Sequence, residues 1–62
     1  MTNSENTLKA ATIAARKALK QMILKGLVEE KDIFALSRCI MEDYNLTEDE
    51  SMETMQQAFL TI

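Results

Sequence analysis

Five oxygen-bearing side chains at alternate positions near the end of the chain have the spacing of a calcium loop. They are Asp43, Asn45, Thr47, Asp49 and Ser51. An EF-hand loop also needs Gly at its sixth position for a sharp turn and a bidentate Glu at its twelfth. Those two places hold Glu48 and Thr54. The residue pattern therefore argues against calcium binding.

The same segment fits a helix start. Thr47 as N-cap would accept a hydrogen bond from the backbone N–H of Glu50, whose carboxylate would accept one from the N–H of Thr47. Glu48 and Asp49 would then lie in the first turn, where the helix macrodipole favours acids. Asn45 can adopt the left-handed conformation that ends the preceding helix. The sequence therefore predicts a tight corner between two helices at residues 44–47.

Other residues that could do chemistry are few. The chain has no His and a single cysteine, Cys39, which excludes an internal disulfide and a Cys/His zinc site. It has no Gly-rich phosphate loop and no Ser or Cys beside a plausible base. We expect Cys39 to be inert packing on the flank of an apolar helix face, and Glu42 and Asp43 to be solvated charges. The expectation is a non-enzymatic protein without a cofactor or metal.

The chain length limits the architecture. With 62 residues the chain can hold one domain, residues 1–62. It contains no Pro and one Gly and is rich in strong helix formers, which predicts long helices with short connections. In so short a chain the gain from apolar burial only about balances the entropic cost of ordering, and association often adds stability. We therefore expect an all-α protein of two or three helices, a hairpin or bundle completed by homodimerisation.

The predicted helices cover about residues 5–25, 29–44 and 48–61. Ser4 can cap the first helix, and Gly26 supplies a left-handed residue after its end, with Leu27 folding back on Met22. The second helix would begin near Glu29. The corner at 44–47 leaves open whether the helices form an open hairpin with a bent second arm or a compact three-helix bundle.

Each predicted helix carries an apolar stripe. The first consists of Leu8, Ala11, Ala15, Ala18 and Met22. The second consists of Ile33, Leu36, Ile40 and Tyr44, widened by Phe34 and Met41. The third consists of Met52, Met55, Phe59 and Ile62. The first and third stripes are the predicted partner or dimer interface. Ordinary core packing is favoured over a Met-rich docking face for the third stripe, although dimerisation would satisfy both interpretations.

Charge is spread unevenly along the chain. Residues 1–26 hold five basic residues and one acid, whereas residues 27–62 hold two basic residues and nine acids. In the favoured interpretation, the basic first helix lies beside the acidic remainder, within a protomer or across a dimer. The acidic helices could instead face a basic partner, or the first helix could bind phosphate or membrane. One side of the first helix is a possible second partner face, formed by Lys9, Ile13, Arg16, Lys20 and Leu24.

A helix-turn-helix role on DNA is the alternative in which the helix after the corner enters the major groove. That helix carries four acids and has only Gln56 and Gln57 as candidate base readers, so phosphate repulsion argues against it. The second helix is less clearly excluded because it carries Lys31 and Arg38.

The most consistent function is a small protein–protein interaction module. By analogy of size and composition, it would be a stoichiometric antagonist or adaptor of a larger bacterial or phage-targeted protein. No apolar run approaches the ~20 residues of a membrane span, and no signal pattern is present, so we expect a cytoplasmic protein without membrane contact. The expected partners are another protein and a second copy of the chain. The alternative is a small transcription regulator that binds DNA.

Overall fold

The computed structural model describes residues 4–62, which form three α-helices and no strand. Helix α1 spans Glu5–Leu24, α2 spans Glu30–Asp43 and α3 spans Glu48–Leu60. The predicted all-α class is confirmed. The helix bounds differ by one residue from the predicted ones at the C-terminus of each helix and at the N-terminus of α2. No helix within residues 4–62 is long and apolar enough to cross a bilayer.

Local side-chain and backbone chemistry defines both ends of α1. Ser4 Oγ accepts a 3.2 Å hydrogen bond from the Thr7 N–H, which satisfies one of the free donors at the helix start. Gly26 lies in the left-handed region at φ +75°. This conformation lets the Leu27 N–H donate to the Met22 carbonyl at 2.8 Å, which is the Schellman arrangement. The cap and the glycine stop are confirmed.

The corner between α2 and α3 repeats this chemistry. Asn45 has a φ of +54°, and the Leu46 N–H donates to the Met41 carbonyl at 2.8 Å. Thr47 Oγ1 then accepts from the Glu50 N–H at 3.2 Å, while the Glu50 carboxylate accepts from the Thr47 N–H at 2.9 Å. The predicted capping box and left-handed stop are therefore confirmed.

The core is small and draws on all three helices and the α2–α3 corner. Its buried apolar residues are Ala11, Ala15, Leu19, Ile40, Leu46, Met55 and Ala58. Helix α3 packs against both α1 and α2, which also contact each other. The radius of gyration is 10.9 Å, close to the ~10.6 Å of a compact chain of this length. The helices form a compact bundle and not an open hairpin.

The α2 stripe packs largely as predicted. Ile40 is buried, and the other stripe members pack half-buried against the core together with Met41. Phe34 departs from this pattern, because it is 68% exposed.

The α3 stripe does not pack as predicted. The residues that α3 buries are Glu50, Ser51, Thr54, Met55 and Ala58. Met52, Phe59 and Ile62 are exposed, so the interpretation of the stripe as protomer core holds for Met55 and is wrong for the other three. The reason is size, because Ser51 and Ala58 let three helix backbones approach closely where longer side chains would hold them apart.

Two further residues differ from the sequence interpretation. Leu19 is fully buried although it lies outside the predicted α1 stripe. A strict 3-4 spacing selects a narrow seam, whereas α1 is covered by two neighbours and buries a wider face. Cys39 is exposed, so its expected role as packing on an apolar flank is wrong.

Candidate protein-binding surfaces

Within residues 4–62, more large apolar side chains are exposed than buried. Those exposed are Ile13, Ile23, Leu24, Leu27, Val28, Phe34, Met52, Phe59, Leu60 and Ile62. Single exposed apolar residues are normal, but contiguous patches mark interaction sites. Most of these side chains belong to one of two areas. We call these areas the α1 surface and the α2–α3 groove.

The α1 surface is the predicted second partner face. Its residues are Lys9, Ile13, Arg16, Lys20 and Leu24, whose spacing of three or four places them on one side of the helix. This side faces away from the core residues Ala11 and Ala15. Arg16 is half-buried and the other four residues are exposed. Apolar and cationic side chains therefore alternate along the α1 surface.

The C-terminal end of the α1 surface is strongly apolar. Leu24 is 80% exposed, and Ile23, Leu27 and Val28 around the Gly26 turn are also exposed. We include these three residues in the α1 surface and call them, together with Leu24, its apolar end. Within the protomer this apolar area remains in contact with water.

The N-terminal half of the α1 surface borders a groove of about 550 Å³ between α1 and α3. Lys9, Ile13 and Arg16 line it together with Glu50 and Glu53 of α3. The groove thus brings basic residues of α1 beside acidic residues of α3. The within-protomer charge interpretation favoured from the sequence is compatible with this arrangement and stays a prediction.

Arg16 contributes an unusual donor to this groove. Its Nε is buried and has no hydrogen-bond acceptor within the part of the chain that the structure describes. A buried donor without an acceptor costs about 1–3 kcal/mol. The Nε group of Arg16 therefore adds nothing to the stability of the protomer.

The α2–α3 groove has a similar volume, about 550 Å³. The wall from α2 consists of Lys31, Phe34, Ala35, Ser37, Arg38 and Met41, and the wall from α3 consists of Glu48, Ser51 and Met52. Phe34 and Met52 are 68% and 67% exposed on opposite walls. Among residues 4–62, Arg38 and Glu48 make no ion pair. The groove combines uncovered apolar side chains with charges of both signs.

The predicted interface residues divide into three groups by exposure. Ala11, Ala15 and Met55 are buried inside the protomer. Leu8, Ala18 and Met22 are half-buried. Met52, Phe59 and Ile62 are exposed and offer most of the free surface of the set. Their role in an interface remains a prediction.

Sequence reasoning missed several members of these surfaces. The stripe pattern places Phe34 at the edge of a packing stripe, and the helix-end pattern gives Leu27 a role only in a helix stop. Val28 belongs to none of the predicted stripes, although its place in the connection after Gly26 marks it as lying outside a packed helix face. The pairing of Phe34 with Met52 across a groove has no signal in the sequence, because it depends on how α2 and α3 pack.

The first two turns of α3 are acidic, and three of their acids, Glu48, Asp49 and Glu53, are exposed. Such a helix start repels the phosphates of a nucleic acid. Residues 4–62 also contain no group of three or more Cys, Asp or Glu side chains arranged to hold a metal ion. The chain matches no protein-family model, no curated protein and no solved structure, so the chemistry of its own surfaces is what indicates a function.

Proposed function

We propose that this protein is a small non-enzymatic binding module that acts as a homodimer and regulates a larger protein stoichiometrically. The observation that carries the proposal is the α1 surface, whose apolar end leaves Leu24, Leu27 and Val28 in water. Covering these side chains with a partner gains about 25 cal/mol for each Å² of apolar area removed from water. The partner proposed here is the bacterial or phage-targeted protein expected from the size and composition of the chain.

The dimensions of α1 suit a protein partner. A standard interface covers about 800 Å² on each side, which corresponds to a patch about 30 Å across. The 20 residues of α1 extend about 30 Å at 1.5 Å per residue. The α1 surface is therefore long enough to form the centre of such an interface.

The residue types of the α1 surface specify the chemistry of the partner. Ile13 and Leu24 would pack against apolar side chains of the partner, and Lys9 and Lys20 would pair with carboxylates placed beside those side chains. Apolar burial would supply most of the affinity, and the charge pairs would set orientation and association rate. We propose a partner with an apolar patch rimmed by acidic residues.

The alternative of a DNA-binding regulator has less support. In a helix-turn-helix the second helix of the motif enters the major groove. For a motif at the α2–α3 corner that helix would be α3, whose exposed Glu48, Asp49 and Glu53 oppose approach to phosphate. For a motif at the Gly26 turn it would be α2, whose two cations, Lys31 and Arg38, are outnumbered by the four acids of that helix. A protein partner requires no such repulsive contact.

Affinity capture from the native host tests the proposal with two matched variants. Leu24→Asp places a charge in the apolar end of the α1 surface, and Leu60→Asp makes the same change at a 72% exposed position on α3. We expect wild type and Leu60→Asp to retain one stoichiometric partner and Leu24→Asp to lose it. Capture of the same partner by Leu24→Asp, or of none by any form, would overturn the proposal.

Two binding assays test the competing ligands. Anionic vesicles that bind wild type but not Leu24→Asp would show that the α1 surface binds lipid, contrary to the proposal. Binding to duplex DNA that weakens steeply with salt would favour the regulator alternative, because counterion release governs such affinity. We expect neither.

A further inference from the structure

We propose that the α2–α3 groove is the interface of a two-fold symmetric homodimer in which α2 of each protomer lies over α3 of its partner. This inference rests on the homodimer included in the proposed function and identifies its surface. It is independent of the α1 surface, which stays free for a different protein.

The apolar side chains of the groove are placed to pack against a second copy. Phe34 lies on the α2 wall and Met52 on the α3 wall, each about two-thirds exposed. Phe59 lies seven residues after Met52, on the same side of α3, and is also exposed. In the proposed dimer Phe34 packs on the partner's Met52 and Phe59, and symmetry repeats the contact.

The charges of the groove select the orientation of the second copy. The α2 wall carries Lys31 and Arg38, and the α3 wall carries Glu48. A two-fold axis parallel to the groove places each α2 wall on the partner's α3 wall, so Arg38 meets the partner's Glu48 twice by symmetry. An axis across the groove would instead bring α2 against α2 and set Lys31 opposite the partner's Arg38. Like charges disfavour that arrangement.

A second copy fits this groove better than an unrelated acidic helix. An acidic helix would pair with Lys31 and Arg38 but would face the repulsion of Glu48 on the other wall. A second copy supplies an acid opposite Arg38 and a cation opposite Glu48. The groove is thus complementary to itself, which an isologous interface requires.

The small core of the protomer is a physical reason for dimerisation. Among residues 4–62, only Leu19, Ile40, Leu46 and Met55 are large buried apolar residues. Domains of this size rarely obtain more than about 3–5 kcal/mol from a single core. Covering the groove adds a second apolar layer shared by two protomers.

Sedimentation equilibrium tests the surface with exposed-site variants. Phe34→Glu and Met52→Glu each place a charge at the centre of the proposed interface, whereas Leu24→Glu places one on the α1 surface. We expect a dimer for wild type and Leu24→Glu, and a helical monomer for the other two variants, with folding verified by circular dichroism. A dimer that persists in both groove variants would show that the interface lies elsewhere and overturn the proposal.

A charge-exchange experiment tests the orientation. In the proposed dimer, Arg38→Glu alone creates two Glu–Glu contacts and Glu48→Arg alone creates two Arg–Arg contacts. We expect each variant to raise the dimer Kd by about tenfold or more, which corresponds to about 1.4 kcal/mol. In the heterodimer that forms when the two variants are mixed in equal amounts, both contacts are opposite-charge pairs, so the Kd of the heterodimer should return to near the wild-type value.

The mixture separates contacts between protomers from effects within one. A change in stability within each protomer would not be repaired by mixing, so failure of the mixture to associate would overturn the proposed orientation. Wild type that stays monomeric up to about 1 mM would overturn the dimer altogether. Neither result affects partner capture through the α1 surface, which the Leu24→Asp variant tests separately.

Discussion

Ser51 and Ser37 connect α3 to α2 through two hydrogen bonds. Ser51 Oγ donates to the Ser37 backbone carbonyl at 2.8 Å and lies 2.9 Å from Ser37 Oγ. A hydroxyl has one proton, so Ser51 uses its own on the carbonyl and accepts the proton of Ser37. Ser51 is only 1% exposed, so water does not replace these bonds. The pair sits at the α2–α3 groove and fixes the separation of its walls.

Replacing Ser51 should therefore destabilise the bundle more than replacing Ser37. Ser51→Ala removes both bonds, and we expect a loss of about 1 kcal/mol in the free energy of unfolding. Ser37→Ala leaves the bond from Ser51 to the carbonyl intact, and its half-buried position admits some solvent. Its cost should be smaller. Urea unfolding with unchanged m-values measures both, and a larger loss for Ser37→Ala would contradict the role of Ser51 as the residue that makes both bonds.

Two leucines five residues apart on α1 should respond very differently to truncation. Leu19 is fully buried and Leu24 is 80% exposed. Leu19→Ala should cost about 2–5 kcal/mol, which is comparable to the whole stability expected for a domain of this size. Leu24→Ala should stay within about 0.5 kcal/mol of wild type. Far-UV circular dichroism should show a largely unfolded Leu19→Ala and a native Leu24→Ala. Equal losses in both variants would show that Leu24 also packs in the fold.

The helix ends were predictable from sequence because the interactions that form them are local. Ser4, Gly26, Asn45 and Thr47 each act on backbone groups within about one turn, so a few neighbouring residues suffice to identify their roles. The α2 stripe was also predictable, because its aliphatic residues all lie on one side of the helix and no second apolar side offers an alternative way to pack.

The packing of α3 was not predictable from its hydrophobic pattern. Met52 and Met55 are equally apolar, but only Met55 is buried. Which side of α3 is buried depends on Ser51 and Ala58, whose small side chains permit close approach of the neighbouring helices. It also depends on the Ser51 hydroxyl, which donates to the Ser37 carbonyl in α2. For the same reason the α1 surface was predictable from the sequence of one helix. The α2–α3 groove was not, because it depends on how two helices pack.

The capping box at the α2–α3 corner should make a measurable contribution to stability. Thr47→Ala removes the oxygen that accepts from the Glu50 N–H, and N-cap losses of this kind cost about 1 kcal/mol. For a domain of this size the melting temperature should fall by about 4–8 °C. Thr47→Ser retains the hydroxyl and serves as the matched control. Equal melting temperatures for the Ala and Ser variants, both below wild type, would show that the methyl group and not the cap matters.

Replacing Arg16 should weaken partner binding without lowering the stability of the fold. Its buried Nε has no acceptor among residues 4–62, so Arg16→Met removes an unsatisfied donor while keeping most of the apolar stem in place. We expect the free energy of unfolding to stay the same or to rise by up to about 1 kcal/mol. Partner capture should weaken, because the α1 surface loses a positive charge.

Arg16→Lys is the control for charge at this position. Lys also lacks the Nε group but keeps a cation, so this variant should bind the partner more strongly than Arg16→Met. A loss of stability in both variants would instead assign Arg16 a structural role through contacts of its guanidinium. A residue whose removal leaves the fold as stable or more stable while binding weakens is one retained for function at some cost to stability. Urea unfolding and partner capture on the same samples would therefore test whether the α1 surface is a binding surface.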